Sequence, residues 1–309
     1  MGRRRTRRCS RPRGPAAPRG AARPPSARTI VTSTVRDTGS QYNGFPNFVP
    51  NVDADTNARR PDAKGRQGRK GHVLATGRAG VSRGADGTLA VPVPNDRVRA
   101  TYDRTAGLYA RTVARLEAAS QRWALDRLDL PGATVLEVGC GPGRTLATVA
   151  QRVGPDGRAV GVDAAPAMVR AARERLAERG PEASTAVALG DARRLPLATG
   201  AADVVCAMDV LDLFDRADLA AVLEECRRVL GSDGRLCVVT MDRAAVPDSW
   251  FLRAYELAYE RVPGFARVGC RPIPAVEAVR AAGFDVLSTA ERERAGVWPV
   301  TVLTAGPAG

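Results

Sequence analysis

The stretch LEVGCGPGRTL, Leu136 to Leu146, sets Gly139, Gly141 and Gly143 at alternate positions straight after an acid and an apolar run. Glycines at the mouth of a buried strand make sense if something must lie close to the backbone. Without Cβ atoms a ligand can rest against the peptide plane, and the helix that follows offers unpaired N–H groups. The surroundings agree with this reading. Short β-branched runs alternate with helical ones: TVLEVG, a helix from Arg144, RAVGVDA, a helix from Pro166, TAVALGDA, ADVVCAM, a helix from Ala217, then RLCVVTM. Such alternation means a doubly wound, Rossmann-like α/β fold, a parallel sheet with helices on both faces. In the last of these helices Leu219, Val222, Leu223, Cys226, Val229 and Leu230 form one apolar stripe, closed by a turn from Gly231 to Gly234. The glycine turn would floor the crevice beyond the strand C-termini, where such sheets bind ligands.

Charge divides the chain near Ala90. Residues 1–90 hold 19 Lys plus Arg against 5 Asp plus Glu, which accounts for the whole net charge of +14. The remainder holds 28 of each sign, all its bases are Arg, and the single His, His72, lies in the basic part. That basic part lacks a sustained helical or strand period and has little apolar mass, so it reads as a disordered extension. It is either an anionic-surface or nucleic-acid tether or an inert appendage. Residues 91–309 read as the catalytic domain. No apolar run approaches the ~20 residues of a membrane helix, and the charged N-terminus lacks an apolar signal segment. The expected compartment is therefore the cytoplasm, with peripheral membrane contact left open. The cysteines, Cys9, Cys140, Cys206, Cys226, Cys237 and Cys270, are scattered without a CxxC pair, which suits free thiols better than a zinc site or a disulfide framework. No metal is expected.

Asp163 ends VGVD twenty positions after Gly143, where a carboxylate can accept hydrogen bonds from both hydroxyls of a ribose. A dinucleotide would suit that acid too, so a Rossmann-type NAD-dependent oxidoreductase is the alternative. The dinucleotide fingerprint, however, wants a glycine where this chain has Arg144. Glu137, just before the turn, fits a cationic ligand better than a pyrophosphate.

The ordered series EVGCGPG, VGVD, GDA (Gly190 to Ala192) and ADVVCAM resembles the motifs of class I S-adenosylmethionine-dependent methyltransferases over about Thr134 to Met241. The segment DVLSTAERERAGVWPVTVLTA is similar to the antiparallel hairpin that closes that family's sheet, which implies seven strands, mostly parallel. The resemblance implies S-adenosyl-L-methionine as cofactor. It places Gly139, Cys140, Gly141, Pro142 and Gly143 under the methionine and ribose, Asp163 with Ala164 at the ribose hydroxyls, Asp191 with Ala192 at the adenine, and Met208 beside the methyl donor. Glu137 would orient the turn and favour the cationic end. Each has a plainer competitor: strand-end caps for Asp163 and Asp191, core filling for Met208 and Cys140. A non-catalytic cofactor-binding protein on the same fold is a further alternative.

With no His after Ala90, a general base would have to be Asp, Glu, Tyr or Cys, and the candidates are Asp209 and Asp212 in MDVLDLF. Their competing reading is helix entry and solvated loop. That segment lacks the Asn-Pro-Pro-aromatic pattern of amino-methylating nucleic-acid enzymes, which disfavours nucleic acid as acceptor. YDRTAGLYA, Tyr102 to Ala110, is similar to the N-terminal lid helix of the ubiquinone/menaquinone-type methyltransferase group, with Tyr102 and Tyr109 on one helical face. Lid helices are expected over about 97–128, broken near Gly107 or Ser120. An acceptor-side insertion is expected over about 245–275, where Phe251, Tyr255 and Tyr259 make a stripe that either walls a pocket or belongs to the core. These features lean towards a small acceptor, a quinol, phenol or lipid-like compound.

Overall fold

The computed structural model describes residues 88–91, 97–104, 113–179, 184–243, 248–262, 265, 270–294 and 298–309. The expectations for residues 1–87 and for Tyr109 lie outside them.

Seven strands, β1 (Thr134–Val138), β2 (Arg158–Asp163), β3 (Ser184–Leu189), β4 (Ala202–Met208), β5 (Leu230–Thr240), β6 (Phe284–Arg294) and β7 (Trp298–Pro307), form one sheet in the order β3-β2-β1-β4-β5-β7-β6. The first five are parallel, with Leu136 facing Val160 on one side and Val205 on the other. β7 runs antiparallel to β5 and to β6. This is the expected Rossmann-like sheet with its C-terminal hairpin. The order reverses between β1 and β4, so a crevice opens beside the first strand-to-helix turn.

Hydrophobic burial explains why these short runs become strands. Val138, Val160, Val205 and Val238 point to one face, packed with Leu223 and Leu303. Val135, Cys206, Cys237 and Val302 point to the other, packed with Leu146 and Val149. Both faces are covered, so the strands read as nearly continuous apolar runs instead of alternating ones. Fully burying each Val or Leu contributes about 1.5–3 kcal/mol.

The helices are α1 (97–104), α2 (Val113–Leu125), α3 (Arg144–Val153), α4 (Pro166–Arg179), α5 (Arg216–Val229), α6 (Trp250–Arg261) and α7 (Ala275–Ala281). Ser120 does not break the lid region. It lies inside α2, and its hydroxyl donates to the Glu117 carbonyl at 2.9 Å, a bond within the helix's own turn. α5 begins one residue before the expected Ala217, because the Asp215 side chain accepts from the Asp218 amide and caps it there. Gly231 to Gly234 fall within the span of β5 but form the register irregularity between the pairs Ala202↔Leu230 and Val204↔Arg235, without partners on β4. Among the described residues no helix is long and apolar enough to cross a membrane.

Candidate functional site

β1 delivers Glu137 and then the glycine turn. Gly139, Gly141 and Gly143 all have positive φ, 68°, 52° and 74°. The turn is fastened on several sides: the Gly139 and Cys140 amides donate to the Val162 carbonyl at 2.8 and 3.1 Å, and Arg175 Nε donates to the Pro142 carbonyl at 2.7 Å. Gly143 caps α3, whose Ala147 amide donates back to the Gly143 carbonyl at 3.0 Å. A Cβ on Gly143 would lie 2.9 Å from the Ala172 backbone, whereas a Cβ on Gly141 would meet nothing within 4 Å. Gly143 is thus a packing glycine, and Gly141 faces open space.

Asp163 ends β2 and turns its carboxylate back to this loop. Oδ2 accepts from the Gly141 amide at 2.8 Å and Oδ1 from the Ala165 amide at 2.8 Å. Both the cap reading and the ribose reading had treated Asp163 as acting alone, and its bond to Gly141 was not foreseen. Ala164 beside it is exposed. Burial pushes the Asp163 carboxyl up from its usual range, against the pull of the Ala165, Gly141 and Ala164 amides.

Glu137 is 3% exposed, and its Oε2 finds no hydrogen-bond partner among the described residues. Burial first, then the nearby Asp163 charge, hold this carboxyl well above the usual range, with the Leu146 amide pulling the other way. A buried carboxyl with an unfilled acceptor, beside a second, half-buried acid, is poised to meet a cation. Cys140 is buried, and its thiol is raised by burial, Asp163 and Glu137, so it stays neutral and acts as filler, not as a nucleophile.

Because Glu137 is held protonated in the native state more readily than in the unfolded chain, its contribution to stability is full at low pH and is lost as pH rises through the raised value. Glu137→Gln should flatten that decline. Melting temperatures measured across the acid-to-neutral range should fall with pH more steeply for the parent than for the variant, and identical slopes would show that Glu137 titrates normally.

Asp191, after β3, is bound by Arg193, whose Nη2 lies 2.6 Å from Oδ2 and whose amide donates to Oδ1 at 2.9 Å. Burial pulls this carboxyl upward, but Arg193 outweighs it and the net shift is down. Arg193 also reaches Asp218 at 3.0 Å, a link the sequence reading missed. Ala192 packs against the core, and Met208 is buried at 4% exposure at the end of β4.

Beyond β4 the chain turns sharply. Asp209 has φ 58°, its amide donates to the Val239 carbonyl at 2.7 Å, and its Oδ2 accepts from Gln121 Nε2 at 2.9 Å. Asp212, for which helix entry or a solvated loop was the competing reading, is 4% exposed within a short 3₁₀ turn, Leu211–Leu213. α1 and α6 meet here at Cys270: Tyr102 of α1 lies 3.5 Å from its sulfur, and the Tyr255 hydroxyl of α6 donates to its carbonyl at 2.9 Å. α1 is also latched to α4, because Asp103 Oδ1 accepts from the Ala167 amide at 2.7 Å. The aromatic stripe faces inward. Tyr259 is 1% exposed, and Tyr255 packs on Phe251, Tyr259, Phe265 and Trp298. Burial pushes the Tyr259 hydroxyl up to about 12.

Residues 135–234 match the family model described as a methyltransferase domain. The nocamycin O-methyltransferase of Saccharothrix syringae is 36% identical over 202 residues, covering 59% of this chain and 70% of that protein. The chain belongs to the class I S-adenosylmethionine-dependent methyltransferases. The malonyl-[acyl-carrier protein] O-methyltransferase of Laribacter hongkongensis is 32% identical to this methyltransferase over 189 residues, covering 59% of this chain and 60% of that protein. The solved Burkholderia thailandensis 1,6-didemethyltoxoflavin-N1-methyltransferase, with 1,6-didemethyltoxoflavin and S-adenosylhomocysteine bound, shares the fold. Its TM-score is 0.52 at 18% identity, over 72% of this chain and 95% of that one. The comparisons do not favour the oxidoreductase alternative. S-adenosylmethionine is the methyltransferase's cofactor, and the site suits it: a buried carboxyl with an unfilled acceptor, an open peptide face at Gly141, and an Asp163 carboxylate with acceptor capacity beyond its two backbone bonds.

Proposed function

We propose that this methyltransferase acts on the hydroxyl of a small phenol, quinol or lipid-like acceptor brought beside Asp209. The observation that carries the reading is the place of that carboxylate. It is the first residue past β4, on the crevice side of the sheet, and its Oδ2 is held by Gln121. Glu137, Gly141 and Asp163 would hold the cofactor, with Gly139 and Gly143 shaping the turn under it; Asp191 and Ala192 would border the adenine, and Met208 the transfer point. Bound there, S-adenosylmethionine supplies a methyl group on a positively charged sulfur that needs no further activation. What the chain adds is alignment, exclusion of water and a proton acceptor. Asp209 takes the proton as the hydroxyl becomes a nucleophile, and α1 with α6, joined at Cys270, closes over the reacting groups. Burial, followed by Asp212, raises the Cys270 thiol well above its usual range, so it stays neutral and leaves the proton to a carboxylate.

Other relatives bear on the acceptor only as a range. The proteins named above act by name on nocamycin and malonyl-[acyl-carrier protein], and the chain also matches, at 30% identity over 137 residues, a demethylmenaquinone methyltransferase of Lactococcus lactis, of which it covers 52%. The first two are named for transfer to oxygen and the third for demethylmenaquinone. Methyl-labelled cofactor offered with panels of phenols, quinols, prenylated lipids and amines tests the reading. Label should enter phenols or quinols, and Asp209→Asn should lower turnover at least tenfold. Transfer to amines alone, or full turnover in Asp209→Asn, overturns it.

A further inference from the structure

One chain of side-chain hydrogen bonds crosses from the cofactor turn to the acceptor side. Thr145, the second residue of α3, donates its hydroxyl to Gln121 Oε1 at 2.7 Å, and Gln121 Nε2 donates to Asp209 Oδ2 at 2.9 Å. Gln121 and Thr145 are buried, at 8% and 7% exposure. The polarity of the chain is forced. An ionised carboxylate only accepts, so the amide nitrogen must face Asp209, its oxygen must face Thr145, and the threonine must donate. The three residues belong to α2, α3 and the turn after β4, elements with no sequence continuity between them.

We infer that Gln121 is a positioning residue that ties the orientation of the Asp209 carboxylate to the state of the glycine turn. Asp209 already sits in the left-handed region, a conformation that persists in a non-glycine residue only where its surroundings over-determine it. Its amide is fixed to β5 and its Oδ2 to α2. The hydrogen bond at Oδ2 favours the charged form. Thr145 lies two residues from Gly143, so a change in the turn reaches Asp209 through two side chains, Thr145 and Gln121. The inference rests on the proposed role of Asp209 for its catalytic meaning, but the coupling itself is independent of it.

Among the groups that bear on Asp209 are Gln121 of α2 and Cys270 before α7; Asp212, Glu117 of α2 and Tyr102 of α1 gather around the same thiol. The test labels aspartate side-chain carbons and follows Asp209, assigned by its loss in Asp209→Asn, through a pH titration by NMR, without ligand and with S-adenosylhomocysteine. Gln121→Leu should shift the Asp209 midpoint upward, and Thr145→Val should do so in the same direction by less. If Gln121→Leu fails to fold, Gln121→Met and Thr145→Val carry the measurement. The exchange Gln121→Glu with Asp209→Asn restores an acceptor facing two donors, so it should recover the melting temperature of Gln121→Leu while leaving turnover at least tenfold down. An Asp209 midpoint unmoved by Gln121 and Thr145 variants overturns the inference, whereas full turnover in the exchange variant speaks only against the proton-accepting role. If Asp209→Asn alone keeps full turnover while the midpoint still follows Gln121, the positioning stands and only the proton-accepting role falls.

Discussion

Gly141→Ala leaves the fold standing and lowers cofactor affinity at least about 100-fold, whereas Gly143→Ala weakens the fold itself. Both glycines have positive φ, so each alanine costs about 1–2 kcal/mol in the backbone alone. The environments then separate them. At Gly143 the new methyl lies 2.9 Å from the Ala172 backbone, and overpacking of that kind adds about 1–3 kcal/mol. At Gly141 it meets no protein atom within 4 Å and projects into open space, where the cofactor is proposed to lie. Excluding a closely packed ligand by a methyl group costs binding and not folding, and a 100-fold loss is about 2.7 kcal/mol. Gly132 supplies the control: its φ is 75° and its Cβ position is open, but it precedes β1 at the opposite end of the strand. Gly132→Ala should show the backbone cost and unchanged affinity. Melting temperature and calorimetric titration with S-adenosylhomocysteine on the three variants decide the matter. Normal affinity in Gly141→Ala would mean that the open face of the turn is not where the cofactor lies.

The parts of the molecule that could be read from the sequence are those whose cause is local. The run TVLEVG, the helix from Arg144 and the acid closing VGVD each carry their own period, cap or composition, and all stand where they were expected. The antiparallel hairpin was legible through resemblance and not through pattern, since strand direction depends on partners far along the chain. Where the reading failed, a distant partner decided. Asp212 looks solvated by polarity, but the turn it occupies is covered by the Cys270–Arg271 segment, whose Arg271 amide donates to the Asp212 carbonyl at 3.2 Å.

The site divides in the same way. Residues with a motif around them, from Glu137 to Gly143 and Asp163, were found, because the chemistry of a ligand cradle is written in consecutive residues. Gln121, Thr145, Asp103 and Arg193 were missed. Their bonds span 88, 24, 64 and 25 residues to Asp209, Gln121, Ala167 and Asp218, and a lone polar residue on an amphipathic helix carries no mark of its distant partner. The one signal available for Gln121 was a glutamine within a stretch otherwise rich in Ala and Leu, at a position that a helical projection would bury.

Asp163→Ala should reduce cofactor affinity by roughly two orders of magnitude while changing stability far less than its two backbone hydrogen bonds would suggest. Each bond to an ionised carboxylate is worth about 1.5–3 kcal/mol, so removing both would by itself be costly. The direction of the Asp163 shift shows what opposes them: the cost of burying the charge exceeds the gain from the Ala165, Gly141 and Ala164 amides, so the ionised form is a net burden on the empty fold. Truncation removes the burden together with the bonds, and the two effects largely offset. The cofactor gains no such offset. Loss of two hydroxyl-to-carboxylate bonds, together with a Gly141 amide no longer held at 2.8 Å, falls wholly on binding. If Asp163 were only a cap for α4, the pattern would invert, with a large loss of stability and an affinity near normal. Asp203 is the matched control, since its carboxylate also accepts a strand-end amide, that of Thr134 at 2.8 Å, at the end of β1 away from the crevice. Asp203→Ala should lower the melting temperature slightly and leave the calorimetric titration with S-adenosylhomocysteine unchanged.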